Sequence, residues 1–273
     1  MEPASIVAGP RRPWHTLVAS ENPVSSAEAI VPFLVEGVQA RERVLAVLAP
    51  ETRSAVMERL ADRADVAALE ADDAIRGAEP GDVYPEAAFD AERQLARFRE
   101  MADEALDDGF SGLRVAGDIT PLAVRHPDDL LRWERTADAF QARNPVTGLC
   151  VLDASAVEPR LVDAIDVLHA PTPTSRATFH VFSGLEPVVT FSGDLDATDV
   201  DLFATTLDAV GSGLFEADYV VDLSELRYIS HQALTTLDGL GARLDSSIAI
   251  VNASPAVTRV IALLDLAHLE VTP

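Results

Sequence analysis

Lysine is absent from the 273 residues, and all 21 basic side chains are Arg. Schiff-base enzymes, pyridoxal-phosphate enzymes and P-loop NTPases each need a particular Lys, so no intact version of those sites can be written on this chain. Cys150 is the single cysteine, which excludes an intrachain disulfide framework and any multi-cysteine zinc site. No run of about 18 apolar residues occurs, so no membrane-spanning helix is expected. Arg11 and Arg12 lack the apolar run that would make Met1–Pro13 a signal peptide. These absences together predict a cytoplasmic protein without membrane contact. Positive charge is scarce as well. The 45 Asp and Glu give a net charge of −24, which repels phosphate backbones and argues against direct nucleic-acid binding.

What is present reads as alternating strands and helices, the pattern of an α/β fold. Strands are expected at His15–Ala19, Arg43–Ala49, Val66–Leu69 (weakly), Leu113–Ala116 and Val146–Leu152. Between them, Ser25 and Glu28 have capping-box spacing for a helix to Ala40, and Pro50 opens a helix to Arg63. Gly77–Val83 reads as a break. A long helix from Glu86 to Asp108 carries Phe89, Leu95, Phe98, Met101 and Ala105 on one stripe. Pro127 suits the start of a helix lined by Leu130, Leu131, Trp133 and Phe140, and Val157–Leu168 is a further helix.

Ala170–Ser175, with prolines among small hydroxylated residues, reads as an extended linker. It divides the chain into domains at 13–170 and 177–273. Residues 1–175 carry 17 Arg and 31 acids, and residues 176–273 carry 4 and 14, so acidity belongs to both halves. Ala177–Phe182 and Val188–Ser192 form an expected hairpin turned at Ser183-Gly184. Strands at Tyr219–Leu223 and Ser247–Val251 then alternate with helices at Asp199–Val210, Leu234–Leu244 and Ala256–Leu264, and Gly211-Ser212-Gly213 reads as a loop. Such alternation implies a small mixed sheet with parallel central strands.

Three ordered motifs mark the second half: Phe191-Ser192-Gly193-Asp194-Leu195-Asp196, Val220 to Ile229, and Val251-Asn252-Ala253-Ser254-Pro255-Ala256-Val257. They resemble the STAS domain of bacterial anti-sigma-factor antagonists over residues 177–273. The resemblance implies binding to an anti-sigma factor, or to a serine kinase of the anti-sigma type, through the start of the helix after the second motif. A phosphorylated Ser or Thr in that family sits where this chain has His231, so Ser/Thr phosphorylation at that position is not expected. A phosphate there would meet unpaired helix N–H groups and add about two charges to a docking face. Ser230 reads as the helix N-cap. Ser230, His231 and Gln232, with Asp194 and Asp196 on the neighbouring turn, make the expected partner-binding face. The alternative is a solvated helix end beside an acidic turn.

The first half has His15 opening a strand, then Phe33-Leu34-Val35-Glu36-Gly37-Val38, Gly112 to Asp118, Trp133-Glu134, and Leu149-Cys150-Val151-Leu152-Asp153. This order resembles the MEDS sensory domain of prokaryotic regulators. The resemblance implies a RecA/KaiC-like parallel-sheet fold without a working P-loop, in agreement with the missing Lys.

Three ligand-sensing candidates follow. His15 is expected at the carboxyl edge of the parallel sheet, where α/β folds place pockets, or else as a strand-end His satisfied by backbone. Asp118 and Glu134 are candidates for paired carboxylates at the same edge, or for a solvated acidic surface. Cys150 reads as a small core residue, with a redox or metal-sensing role as the alternative. The six His residues are scattered without HxH or HExxH spacing, so no metal site and no cofactor are expected. No catalytic constellation is visible. The chain is therefore expected to be a non-enzymatic regulator in which a sensory domain is coupled to a protein-binding STAS domain. The alternative is a small-molecule or nucleotide-binding protein whose STAS half makes homo-oligomers.

Overall fold

The computed structural model describes residues 15–84, 89–183, 188–214 and 220–272. The N-terminal Met1–Pro13 segment, the helix start at Glu86, the hairpin's Gly184 and the strand start at Tyr219 lie outside the described residues.

The first half is a parallel five-stranded sheet of order β1-β5-β4-β2-β3, with β1 His15–Ser20, β2 Arg43–Val47, β3 Ile75–Ala78, β4 Leu113–Asp118 and β5 Val146–Asp153. Alternation within the strands sends side chains to two different layers. Val44, Ala46, Ala116, Leu149 and Val151 pack under α1 (Pro23–Gln39) and α2 (Pro50–Ala61), with Ile30, Leu34 and Leu60. Leu17, Leu45, Val47, Val115 and Leu152 face the other way, toward α5 (Ala91–Asp107), α7 (Pro127–Gln141) and α8 (Pro159–Val167).

Several local expectations are corrected. The helix α1 starts three residues earlier than a Ser25 cap would place it, because the Asn22 side chain accepts the Val24 N–H at 2.8 Å and Pro23 occupies the first turn. Val66–Leu69 is not a strand. Asp65 accepts the Ala68 N–H at 3.2 Å and caps a short helix, α3 (Val66–Ala71). The Gly77–Val83 stretch holds the end of β3 and a single turn, α4 (Pro80–Val83). A short α6 (Thr120–Arg125) precedes α7. The Ala170–Ser175 segment is not an extended tether. Ala170 donates to the His15 carbonyl at 3.0 Å, Ser175 closes a turn on Thr172, and the Asp166 carboxylate accepts the N–H groups of Arg176 and Ala177 at 2.6 and 2.9 Å.

The second sheet has the order β10-β9-β8-β7-β6, comprising β6 Phe179–Ser183, β7 Val188–Leu195, β8 Val220–Ile229, β9 Ile248–Val251 and β10 Leu269–Val271. Only β6 runs antiparallel to its neighbour, so the sheet is mixed. Its helices are α9 (Val200–Leu214), α10 (His231–Leu244) and α11 (Pro255–Leu263). The Gly211-Ser212-Gly213 segment is the last turn of α9 rather than a loop. In β7 a register shift falls at Gly193/Asp194, where Gly193 has φ +87° and a Cβ would come 2.3 Å from the Thr178 carbonyl oxygen. That turn therefore requires glycine.

The two halves share a layer. Helices α7 and α8 lie between the first sheet and β6/α9 of the second half, and one apolar cluster runs unbroken from Leu17 to Leu269. This explains why α7 is buried on more than one face, with Leu130, Trp133, Ala137, Ala139 and Phe140 all enclosed.

Candidate functional site

His15 is the first residue of β1, and because the sheet is parallel it lies at the amino end of the strands, not at the carboxyl edge. The carboxyl edge carries a different feature, a groove of about 590 Å³ lined by Ser20, Asn22, Asp118, Thr120, Arg125 and Asp153. Burial raises the Asp118 carboxyl above the ordinary Asp range, with the nearby Asp153 charge adding to the effect, against bonds from Thr120. Glu134 is not part of this groove, so the two expected partner carboxylates are separated. Phosphate finds poor terms here. Three carboxylates, Glu51, Asp118 and Asp153, line the groove, Asn22 already uses the Val24 N–H, and Pro23 has no N–H to offer at the helix start.

Glu134 instead turns inward to His15, joined by two residues that sequence spacing did not connect. The Ala170–His15 backbone bond and the Thr16–Ala170 bridge lay His169, at the end of α8, beside the start of β1. The two imidazole rings stand 4.1 Å apart at 42°. Parallel pairing of β5 with β1 places Cys150 opposite Leu17, and α7 carries Glu134 over all three. The Glu134 Oε2 atom is 3.0 Å from His15 Nε2 and 3.4 Å from His169 Nε2. The Cys150 Sγ atom is 3.5 Å from both His15 Nε2 and Glu134 Oε2. Glu134 and His169 are fully enclosed and His15 nearly so.

A buried charge needs a partner. Burial pushes the Glu134 carboxyl up, yet the bonds and charges of His15 and His169 outweigh it and hold its pKa down to about 2. Burial pulls the His169 imidazole down, but Glu134 outweighs that and raises it. The Cys150 thiol is pushed well up, by burial first and then by the carboxylate beside it. A reactive thiolate is therefore disfavoured unless a cation joins the cluster. The His169 Nδ1 atom is 2.8 Å from the Ile165 carbonyl and donates to it, which directs Nε2 at the cluster. His15 and Cys150 also border an apolar cavity of about 40 Å³ lined by Tyr84, Phe98, Trp133 and Phe140. Gly117 makes room for it, since a Cβ there would come 2.7 Å from the Tyr84 hydroxyl.

A family model described as MEDS, the methanogen/methylotroph, DcmR sensory domain, matches residues 15–170, more than half the chain. The chain belongs to the MEDS family. A second family model, described as a Mlab, STAS domain, matches residues 167–272. No match to the chain was found among curated proteins. The MEDS domain thus begins at the cluster residue His15 and ends one residue beyond His169. A MEDS sensory domain joined to a STAS domain makes this a signalling or regulatory protein, and no described helix is long and apolar enough to cross a membrane.

On the STAS domain, Ser230 caps α10 by accepting the Ala233 N–H at 3.2 Å, and its own N–H donates to the Leu195 carbonyl at 2.9 Å. That bond lays the Asp194–Asp196 turn beside the helix start. His231 and Gln232 are exposed in the first turn, Asp194 forms a two-point pair with Arg227, and Asp196 accepts from Thr198. Tyr228, not among the residues of the expected face, is 55% exposed at the same end of β8.

Proposed function

We propose that this protein is a non-enzymatic signalling regulator whose MEDS domain controls the binding of an anti-sigma factor, or an anti-sigma-type kinase, at the α10 start of its STAS domain. One observation carries the coupling. Glu134 and Asp138 lie one turn apart on α7; Glu134 holds the two histidines, while Asp138 stands 3.8 Å from His15 Nδ1 and accepts the buried Ser183 N–H of β6 at 2.7 Å. A change at the cluster is therefore one helical turn from the first strand of the partner-binding domain. The apolar cavity beside His15 supports a small ligand as the signal. The absence of Lys and the carboxylates in the carboxyl-edge groove favour this reading over nucleotide hydrolysis.

The docking face combines an exposed aromatic ring with polar side chains, the mixture that protein interfaces favour. His231→Glu places a carboxylate at the helix start and mimics the charge of a phosphate. In a pull-down with an anti-sigma partner, His231→Glu and Tyr228→Asp are expected to reduce capture at least tenfold while His268→Ala retains it. Unchanged capture by both would remove this face from the account. Phosphate release from ATP with Mg²⁺ is expected to stay at background.

A further inference from the structure

We propose that His15, Glu134, Cys150 and His169 form a binding site for one divalent transition-metal ion, with Zn²⁺ the best fit. Each residue offers one ligand atom, and the four atoms all lie within 4.8 Å of one another. Four of the six spacings fit the edges of a tetrahedron. Zn–N and Zn–O bonds of about 2.0–2.2 Å and a Zn–S bond of about 2.3 Å require ligand–ligand edges of about 3.3 Å between N and O and about 3.5 Å to S. The measured edges are 3.0 and 3.4 Å from Glu134 Oε2 to the two Nε2 atoms, and 3.5 Å from Cys150 Sγ to both His15 Nε2 and Glu134 Oε2.

The surroundings fit the same assignment. A metal-ligating His donates its other ring N–H to a carbonyl or carboxylate. His169 Nδ1 does so to Ile165, and His15 Nδ1 faces Asp138 at 3.8 Å. The His169 Nε2 atom is fully buried and aimed into the cluster, 3.4 Å from Glu134 Oε2 but without a well-aligned hydrogen bond to it. Charge closes the argument. One carboxylate, one thiolate and two neutral imidazoles carry −2, so a divalent ion leaves the buried centre neutral, whereas protons alone must be shared among four facing donors. On binding, the Cys150 thiol and any N–H on the two imidazole Nε2 atoms give up their protons (to solvent, or to Nδ1 by tautomer exchange), and the sulfur and both nitrogens bond to the ion with no redox change. The mixed N, O and S set is too soft for Mg²⁺ or Ca²⁺. This assignment stands whether or not the STAS domain binds an anti-sigma factor.

The test uses the full chain, stripped with chelator, titrated with Co²⁺ and then desalted. The expected result is one Co²⁺ per chain by elemental analysis, with the intense visible bands of a tetrahedral site and a thiolate-to-cobalt charge-transfer band, all lost on adding Zn²⁺. Cys150→Ser is expected to remove the charge-transfer band while the visible bands persist, and His169→Ala to abolish stoichiometric binding. His268→Ala, outside the cluster, is expected to retain one equivalent. Circular dichroism of each variant separates loss of ligand from loss of fold. Substoichiometric binding to the folded wild type, an octahedral spectrum, or a charge-transfer band that survives Cys150→Ser would overturn the site.

Discussion

Asp118 carries a cost that the fold tolerates. The residue is 7% exposed at the carboxyl edge of the sheet, where its Oδ1 accepts the Thr120 N–H at 2.9 Å. Burial raises its pKa above that of the unfolded chain. The native state therefore holds the proton more tightly than the unfolded state, and this group's contribution to stability is lost as pH rises through the ordinary Asp range toward the native value. Asp118→Asn retains the acceptor oxygen and removes the buried charge. Its thermal midpoint is expected to exceed that of the wild type at pH 7, and the difference to shrink as the pH falls toward about 4, the unfolded Asp value. A pH series followed by circular dichroism reads this directly, and a difference independent of pH would refute it. Buried carboxylates kept at such a cost in a groove are characteristic of working sites.

At the scale of elements, α7 decides how the parts communicate. Its start at Pro127 and its stripe of Leu130, Leu131, Trp133 and Phe140 are legible in the sequence because both signals are local. Its role between two sheets is not, because Glu134 and Asp138 look like any other acids in a chain with 45 of them. Asp138→Ala leaves the Ser183 N–H buried without its acceptor, a loss of about 1–3 kcal/mol. Asp138→Asn preserves an acceptor and is expected to lose less than Asp138→Ala. Urea unfolding of the two variants gives that order, and equal loss would mean that the Ser183 bond contributes nothing.

The same contrast between local and distant causes separates what was readable elsewhere. The order of strands and helices followed from apolar periodicity and from Pro and Gly punctuation. The α3 helix did not, since Val66–Leu69 is too short for its period to be distinguished and the Asp65 cap alone settles it. The motif orders of the MEDS and STAS families were visible along the chain. The four-residue cluster was not. His15 and His169 meet through a backbone bond to Ala170 and a docked segment that reads, by composition, as a free linker. The Asp166 carboxylate that fastens that segment likewise had no sequence signature.

For the whole molecule, the continuous cluster from Leu17 to Leu269 joins the two family domains through one apolar core. Calorimetry of the full chain is expected to give a single transition, with matching calorimetric and van't Hoff enthalpies. Residues 13–175 alone would present the α7 and α8 faces to water and are expected to unfold at lower temperature. Two resolved transitions in the full chain would refute this.

The Ser183 amide has a further use. It belongs to the STAS domain, yet it donates at 2.7 Å to a carboxylate of the MEDS domain that also faces His15. Its rate of deuterium uptake therefore gives a one-atom gauge of the neighbouring domain, readable by NMR of 15N-labelled protein without ligand or partner. Any occupant of the cluster that draws Asp138 toward His15 would quicken that clock, and one that releases Asp138 toward β6 would slow it.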